Sequence, residues 1–599
     1  MSRSVLLALV TSLALVCGTG AAQPAAPKVL RYAFPIAETG FDPAQISDLY
    51  SRTVAANIFE GPLTYDYLAR PAKVVPLTAA SLPEIGDGGR RFTFHIRPGI
   101  FFQDDPVFEG RRRELVAEDY VYAIKRHYDP KFKSPNLFQL ENAGLLGLSE
   151  LRRQATDSRQ PFDYDAPAAG AQALDRYTFV IRVKDPAPRL PYLFTDGAIV
   201  GAVAREVVEH YGDAIMAHPV GTGPYRLGEW RRSSRIVLER NPGYREHGYD
   251  AQAPVGDEGA QKIAAQMAGR RLPMIDRVEI SIIEESQPRW LAFLNGELDF
   301  LDRLPNEFAS MAIPHNRLAP NLAKQGVQMV RTPLVDATYS YFGMENPVVG
   351  GYTPDRVALR RALALAYDAQ AEIERVRLGQ AIPAQSLIPP LLSGYDPQLK
   401  SEMSDHDVPR AKALLDLYGY VDRDGDGWRD RPDGSPLVLE YAAQPDQQNR
   451  QQQELWKKAM DRINVRIEFK IGKWPEQLKA SRAGKLMMWG VAWSATSPDG
   501  LYLLDLLYGP NKGQANHARF DLPAFNALYE RAAVLPDGPE REAVMREAKQ
   551  IAIAYMPYKV TSHRIATDLL HPQVLGYKRH PFMRNWWHFV DVDTTETAR

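Results

Sequence analysis

Apolar and polar positions alternate with a period of two at several places along this chain. Phe92, Phe94 and Ile96 alternate with Arg91, Thr93 and His95. Tyr177, Phe179, Ile181 and Val183 fall on one side, with Thr178 and Arg182 on the other. Val465, Ile467 and Phe469 alternate with Arg466, Glu468 and Lys470. Side chains two residues apart leave a pleated backbone on the same face, so each stretch predicts a half-buried strand. A helical spacing governs other segments. Residues 356–377 are rich in Ala, Leu, Arg and Glu, start behind Thr353-Pro354 as cap and first turn, and stop near Gly379. Between Asn449 and Ile463, the apolar Leu455, Ala459 and Ile463 form one stripe directly before the strand at Val465. Strands mixed with helices throughout predict layered α/β packing. No repeat of fixed period is found, which disfavours a solenoid or propeller. The Ala/Gly/Gln-rich segment 251–269 reads as a surface insertion, and the polar stretch 155–170 as a connection.

Length and charge narrow the picture. The 599 residues exceed what one core organises; at roughly 100–200 residues per domain, two to four units are expected. The 72 basic and 73 acidic side chains nearly cancel, so no electrostatic driving force for nucleic acid exists and none is expected as a partner. Met1-Ser-Arg3, the apolar run Val5 to Val16 and the small residues Gly18 to Ala22 have the layout of a signal peptide, with cleavage expected after Ala22. The apolar run is shorter than the ~18 residues of a membrane span, so export to the periplasm is expected. Cys17 lies inside this segment, but the bulky Val16 before it argues against lipid anchoring there. The mature chain then has no thiol, which excludes disulfides and cysteine catalysis.

Several segments resemble, in order, the signatures of family 5 extracellular solute-binding proteins, the group of dipeptide- and oligopeptide-binding proteins of ABC importers. Phe41-Asp42-Pro43, Asn57-Ile-Phe-Glu-Gly-Pro-Leu63, Phe92-Thr-Phe-His-Ile-Arg-Pro-Gly99 and Ala117-Glu-Asp-Tyr-Val121 carry the likeness early. Gly221-Thr-Gly-Pro-Tyr225 with Trp230, Leu238-Glu-Arg-Asn-Pro-Gly-Tyr244 and Asn295-Gly-Glu-Leu-Asp299 follow. Asp355 to Ala362 and Ala411 to Tyr420 extend it into the second half. The resemblance implies two α/β lobes with an extra inserted domain in the N-terminal half. Applied here, lobe I would comprise residues 23–60, 175–330 and 563–599, the insert 61–174, and lobe II 331–562. It also implies a monomer that encloses a peptide or other small polar or amphipathic solute and docks on ABC permease subunits in the inner membrane.

The same resemblance points to site residues. Trp493-Ser494-Ala-Thr496-Ser-Pro-Asp499 resembles a lobe II segment whose first acidic residue commonly pairs with a peptide's α-ammonium. Here that position is Thr496, and a hydroxyl cannot neutralise a buried ammonium, which weakens the case for a free amine. Trp474, Tyr339, Tyr341 and Phe342 would supply aromatic lining. Thr39, Gly40 and Phe41 would offer backbone groups from lobe I. Separately, Asp422, Asp424, Asp426, Asp430 and Asp433 fall at positions 1, 3, 5, 9 and 12 of a calcium-type loop with Gly427 at position 6. The flanks differ from a helix–loop–helix, and Asp-Gly turns are common without metal. A structural calcium is the one cofactor the spacing suggests. No Gly-x-Ser-x-Gly or zinc motif occurs, so no enzymatic activity is expected. A ligand sensor of the same fold is the alternative to transport.

Overall fold

The computed structural model describes residues 26–595. The predicted signal peptide, its cleavage site and Cys17 lie outside them. Among the described residues, no helix is long and apolar enough to cross a membrane.

Three larger sheets organise the chain. The first joins Val29–Phe34, Arg277–Ile282, Arg235–Arg240 and Tyr225–Arg231, the first pair parallel and the others antiparallel. The second is antiparallel and orders Glu84–Gly86, Arg91–His95, Thr178–Arg182 and Ala171–Ala173. Two of the alternating segments read from sequence are its central strands. Phe94 and Phe179 face each other in register and stack at 4.7 Å, and apolar side chains on one pleat face anchor the pair. Because Thr178–Arg182 completes this sheet, the insert boundary expected at residue 174 cuts through it; the pairing of Arg91–His95 carries the unit to about Val183.

The third sheet has eight strands and dominates the second half. Its central path runs Phe300–Leu301, Tyr558–Leu570, Asp336–Phe342, Met488–Ser494, Val438–Ala443 and Arg466–Ile471. The 13-residue strand Tyr558–Leu570 pairs at its far end with Gln328–Pro333 and near its start with Asp336–Phe342. These two antiparallel segments are where the chain passes from one half to the other and back. They are pinned together by Asp336, fully buried, which accepts from the Arg564 Nε at 2.7 Å and from the Arg564 backbone N–H at 3.1 Å. Separate apolar cores lie on either side: one around Phe34, Phe59, Phe94 and Phe179, the other around Tyr339, Leu363, Trp456 and Trp489. The tail returns to the first half, where Trp587 packs edge-on to Tyr32 at 5.8 Å and Trp586 sits 5.1 Å from Phe300.

Two local readings change. The single helix expected over 356–377 is two, Pro354–Ala366 and Ala369–Arg375. Asp368 breaks it by capping the second helix, accepting from the Ala371 N–H at 2.9 Å, while Tyr367 turns inward to stack on Trp456. The segment 251–269 also carries a helix, Glu258–Met267, capped by Asp257 and held down by the fully buried Met267.

Candidate functional site

A cavity lies where the two halves meet. Its free volume is about 20 Å³, within about 410 Å³ of space between atoms that runs out into open solvent. The N-terminal half supplies Glu60, Tyr65, Thr195 and Asp196, the returning tail supplies Phe582 and Arg584, and Thr496 closes it from the C-terminal half. The Tyr65 hydroxyl reaches across to donate to the Thr496 carbonyl at 3.5 Å. The wall therefore mixes aromatic faces, hydroxyls and charge, the make-up of a site for a ligand with both polar and apolar parts.

The carboxylates on this wall are already engaged. Glu60 accepts from both terminal nitrogens of Arg245, at 2.8 and 3.0 Å, and from Thr222 Oγ1 at 2.9 Å. Asp196 caps the short helix Gly197–Val200 by accepting from the Ala198 N–H, and pairs with Arg52. Arg584 is different. Its Nε is buried without a hydrogen-bonding partner, and burial pulls its pKa down to about 10.

Of the residues predicted from sequence, Thr496 lines this cavity. Trp493 is half-buried nearby, edge-on to His517 at 6.0 Å, and Ser494 is exposed at the end of its strand. Trp474 is 42 % exposed and tilted against Trp489 at 5.1 Å, and it is not among the residues that line this cavity. Tyr339, Tyr341 and Phe342 do not reach the cavity: all three are buried within the large sheet, where Tyr339 stacks on Tyr558 at 4.6 Å and the Tyr341 hydroxyl meets Ser481 Oγ at 2.7 Å. A central strand covered on both faces buries its alternating side chains whichever way they point. Thr39, Gly40 and Phe41 are likewise occupied. The Thr39 N–H donates to Ser51 Oγ, Gly40 lies against the Met216 side chain, and the Phe41 N–H donates to the Met216 carbonyl. Asp499 offers no free oxygen. Arg541 donates to both its oxygens at 2.7 Å, and Arg189 from the first half approaches at 2.5 Å.

The acidic turn comes together only in part. Asp422, Asp424 and Asp426 can bring one oxygen each within 4.8 Å of one another. Asp430 instead is buried and accepts from the Arg423 N–H, and Asp433 turns to Ser435. Asp426 also carries the Arg466 guanidinium. These residues do not fit the five-carboxylate loop that the spacing suggested, because the chain enters an antiparallel bridge between Asp430 and Pro436 instead of a second helix.

Sequence reasoning missed Glu60 as a wall residue, Tyr65, Asp196 and Arg584. Glu60 lay in a quoted motif, but nothing in its spacing tied it to Arg245 or to a cavity. Arg584 precedes the tryptophan pair that anchors the tail, and that pair was the one signal that this segment docks on the first half.

Residues 73–515 match the model of the bacterial extracellular solute-binding proteins, family 5 Middle. A probable deoxycholate-binding periplasmic protein YgiS of Escherichia coli is 26% identical over 570 residues, covering 93% of this chain and 92% of that protein. A di/tripeptide-binding protein 2 of Pseudomonas aeruginosa is 23% identical over 599 residues, covering 97% and 98%. Among solved structures, the ABC transporter-associated periplasmic binding protein DppA of Helicobacter pylori, in complex with the peptide STSA, superposes with a TM-score of 0.72 at 19% identity, over 94% of this chain and 98% of that one. That likeness establishes the two-lobe periplasmic-binding fold.

Proposed function

Since this chain belongs to the bacterial extracellular solute-binding proteins of family 5, we propose that it captures a peptide-like or amphipathic solute between its halves and hands it to the permease subunits of an inner-membrane ABC importer. The observation that carries this reading is the cavity at the meeting of two halves, with wall residues drawn from both. Two crossing strands connect those halves, and such segments act as a hinge when a ligand favours the closed arrangement. The names of the relatives, one a probable deoxycholate binder and one a di/tripeptide binder, support a solute of mixed polar and apolar character. The chain would work as a monomer in the periplasm, after removal of the segment ahead of residue 23.

Native mass spectrometry of the purified mature chain, followed by a thermal-shift screen of peptides, acylated amino acids and bile salts, tests the reading. One class of solute is expected to raise the melting temperature in a concentration-dependent way, because binding to the folded state alone stabilises it by mass action. Catalytic turnover of a bound compound, or silence across the whole screen, would sink it.

A smaller proposal concerns the acidic turn. Asp422, Asp424 and Asp426 would give a calcium ion three oxygens, with water and backbone carbonyls supplying the remainder. Isothermal titration compares the unaltered chain with Asp424→Ala; identical heats remove calcium from the account.

A further inference from the structure

The charges around the cavity do not balance. Glu60 has Arg245, and Asp196 has Arg52. Arg303 stands nearby with its own Asp302 at 3.1 Å. Arg584 is left over: among the described residues its guanidinium forms no hydrogen bond or ion pair, although it lines the cavity. It remains charged at neutral pH. The enclosed Arg126 and Arg541 are matched by Asp42 and Asp499, and the enclosed Arg360 spends its N–H groups on the Val349, Gly351 and Tyr555 carbonyls. Arg584 is half-buried with its Nε shut from water; Asp196 favours its charge while Arg52 and Arg303 oppose it, and hydration lost at the buried edge is not replaced by a hydrogen bond. Thr496, on the same wall, brings no carboxylate that could pair with an ammonium.

We infer that the solute itself carries the missing anion: an organic carboxylate seats on Arg584, and the pole of the solute that faces Thr496 is uncharged. This rests on the cavity being the solute site, and it narrows the solute class to acids without a free ammonium at that pole. The planar fork of a guanidinium suits a carboxylate because two parallel N–H donors meet two oxygens. Phe582, Met583 and Leu77 provide apolar cover for the remainder of the molecule. The C-terminal carboxylate of an acylated peptide and the carboxylate of an amphipathic acid present the same chemistry.

The test titrates the intact mature chain calorimetrically with matched probes. N-acetyl-Ala-Phe as free acid is compared with its C-terminal amide, deoxycholate with its methyl ester, and both with Ala-Phe amide, which carries only an ammonium. An acid is expected to bind roughly ten- to hundredfold more tightly than its neutral partner, the ratio for one charge-assisted hydrogen bond. Which acid binds distinguishes a peptide from an amphipathic acid. Arg584→Gln should abolish the preference and Arg584→Lys should keep part of it. A second readout separates this from a purely structural role: ligand-free Arg584→Gln should melt at or above the temperature of the unaltered chain, since an unmatched charge has been removed. Equal binding of acid and neutral probe, tight binding of the ammonium probe, or an acid preference that survives Arg584→Gln would overturn the inference while leaving solute capture intact. Silence of every probe would overturn the inference and count against capture as well.

Discussion

Asp42→Ala is expected to be among the most destabilising single changes in the N-terminal half, lowering stability by about 3–5 kcal/mol. Asp42 and Arg126 are both about 1 % exposed at their side chains, and they form a two-pronged pair at 2.6 and 2.8 Å. Asp42 also accepts from Gln45 Nε2 at 2.7 Å and from the Ala44 N–H. Truncation leaves the Arg126 charge enclosed with no partner, and that residual cost dominates the effect. Burial alone would raise the Asp42 carboxyl pKa, but the Arg126 charge and its hydrogen bonds outweigh burial and hold it below its ordinary value. A carboxyl depressed on folding contributes stability that is complete above its unfolded pKa of about 3.9 and disappears as pH falls through the lower folded value. Urea midpoints of the two proteins should therefore differ widely at neutral pH and converge in strong acid. Equal midpoints at neutral pH would refute the account.

Asp499→Ala should produce a loss of similar size in the C-terminal half, also about 3–5 kcal/mol. The carboxylate holds Arg541 through two hydrogen bonds, accepts from Ser393 Oγ at 3.0 Å, and caps the Leu501 N–H at 3.0 Å. Removing it leaves Arg541, 2 % exposed at its side chain, with the exposed Asp537 at 3.3 Å as its counter-charge and with hydrogen bonds to the Ala532 carbonyl at 2.9 Å and Ser393 Oγ at 3.4 Å. Arg189 is the control. It comes from the first half and bonds Asp499, Asp537 and the Leu535 carbonyl, so it ties the halves together without supporting either core. Arg189→Ala should leave the urea midpoint nearly unchanged and weaken solute binding, because one contact favouring the closed arrangement is lost. A midpoint as low for Arg189→Ala as for Asp499→Ala would show that the three residues act as one structural cluster.

The motifs readable in the sequence acquire their reasons only in three dimensions. Gly221 and Gly223 lie against the Ile58 carbonyl, where a Cβ would overlap the oxygen, and the Gly223 N–H donates to that same carbonyl at 2.8 Å. Thr222 between them bonds Glu60. Two quoted motifs, 57–63 and 221–225, are thus the two sides of one contact. The Phe41-Asp42-Pro43 element likewise serves Arg126 on the helix Ala117–Tyr128 that another motif opens. None of these couplings is visible in residue spacing.

Residue order by itself determined the strands at 91–95, 178–182 and 466–471, the helix before the last of them, the mixed α/β class and the family. Each is encoded in periodicity or motif along one short segment, where neighbours in sequence are neighbours in space. Tertiary structure alone decided that Asp499 is held between Arg541 and Arg189, that Tyr339, Tyr341 and Phe342 belong to a core, that the carboxylates of the acidic turn divide, and that Arg584 and Thr496 line one cavity. Those outcomes depend on which distant elements dock and on which charges are already matched when they do. That information resides in the packing of whole layers, and no local pattern of apolar and polar residues contains it.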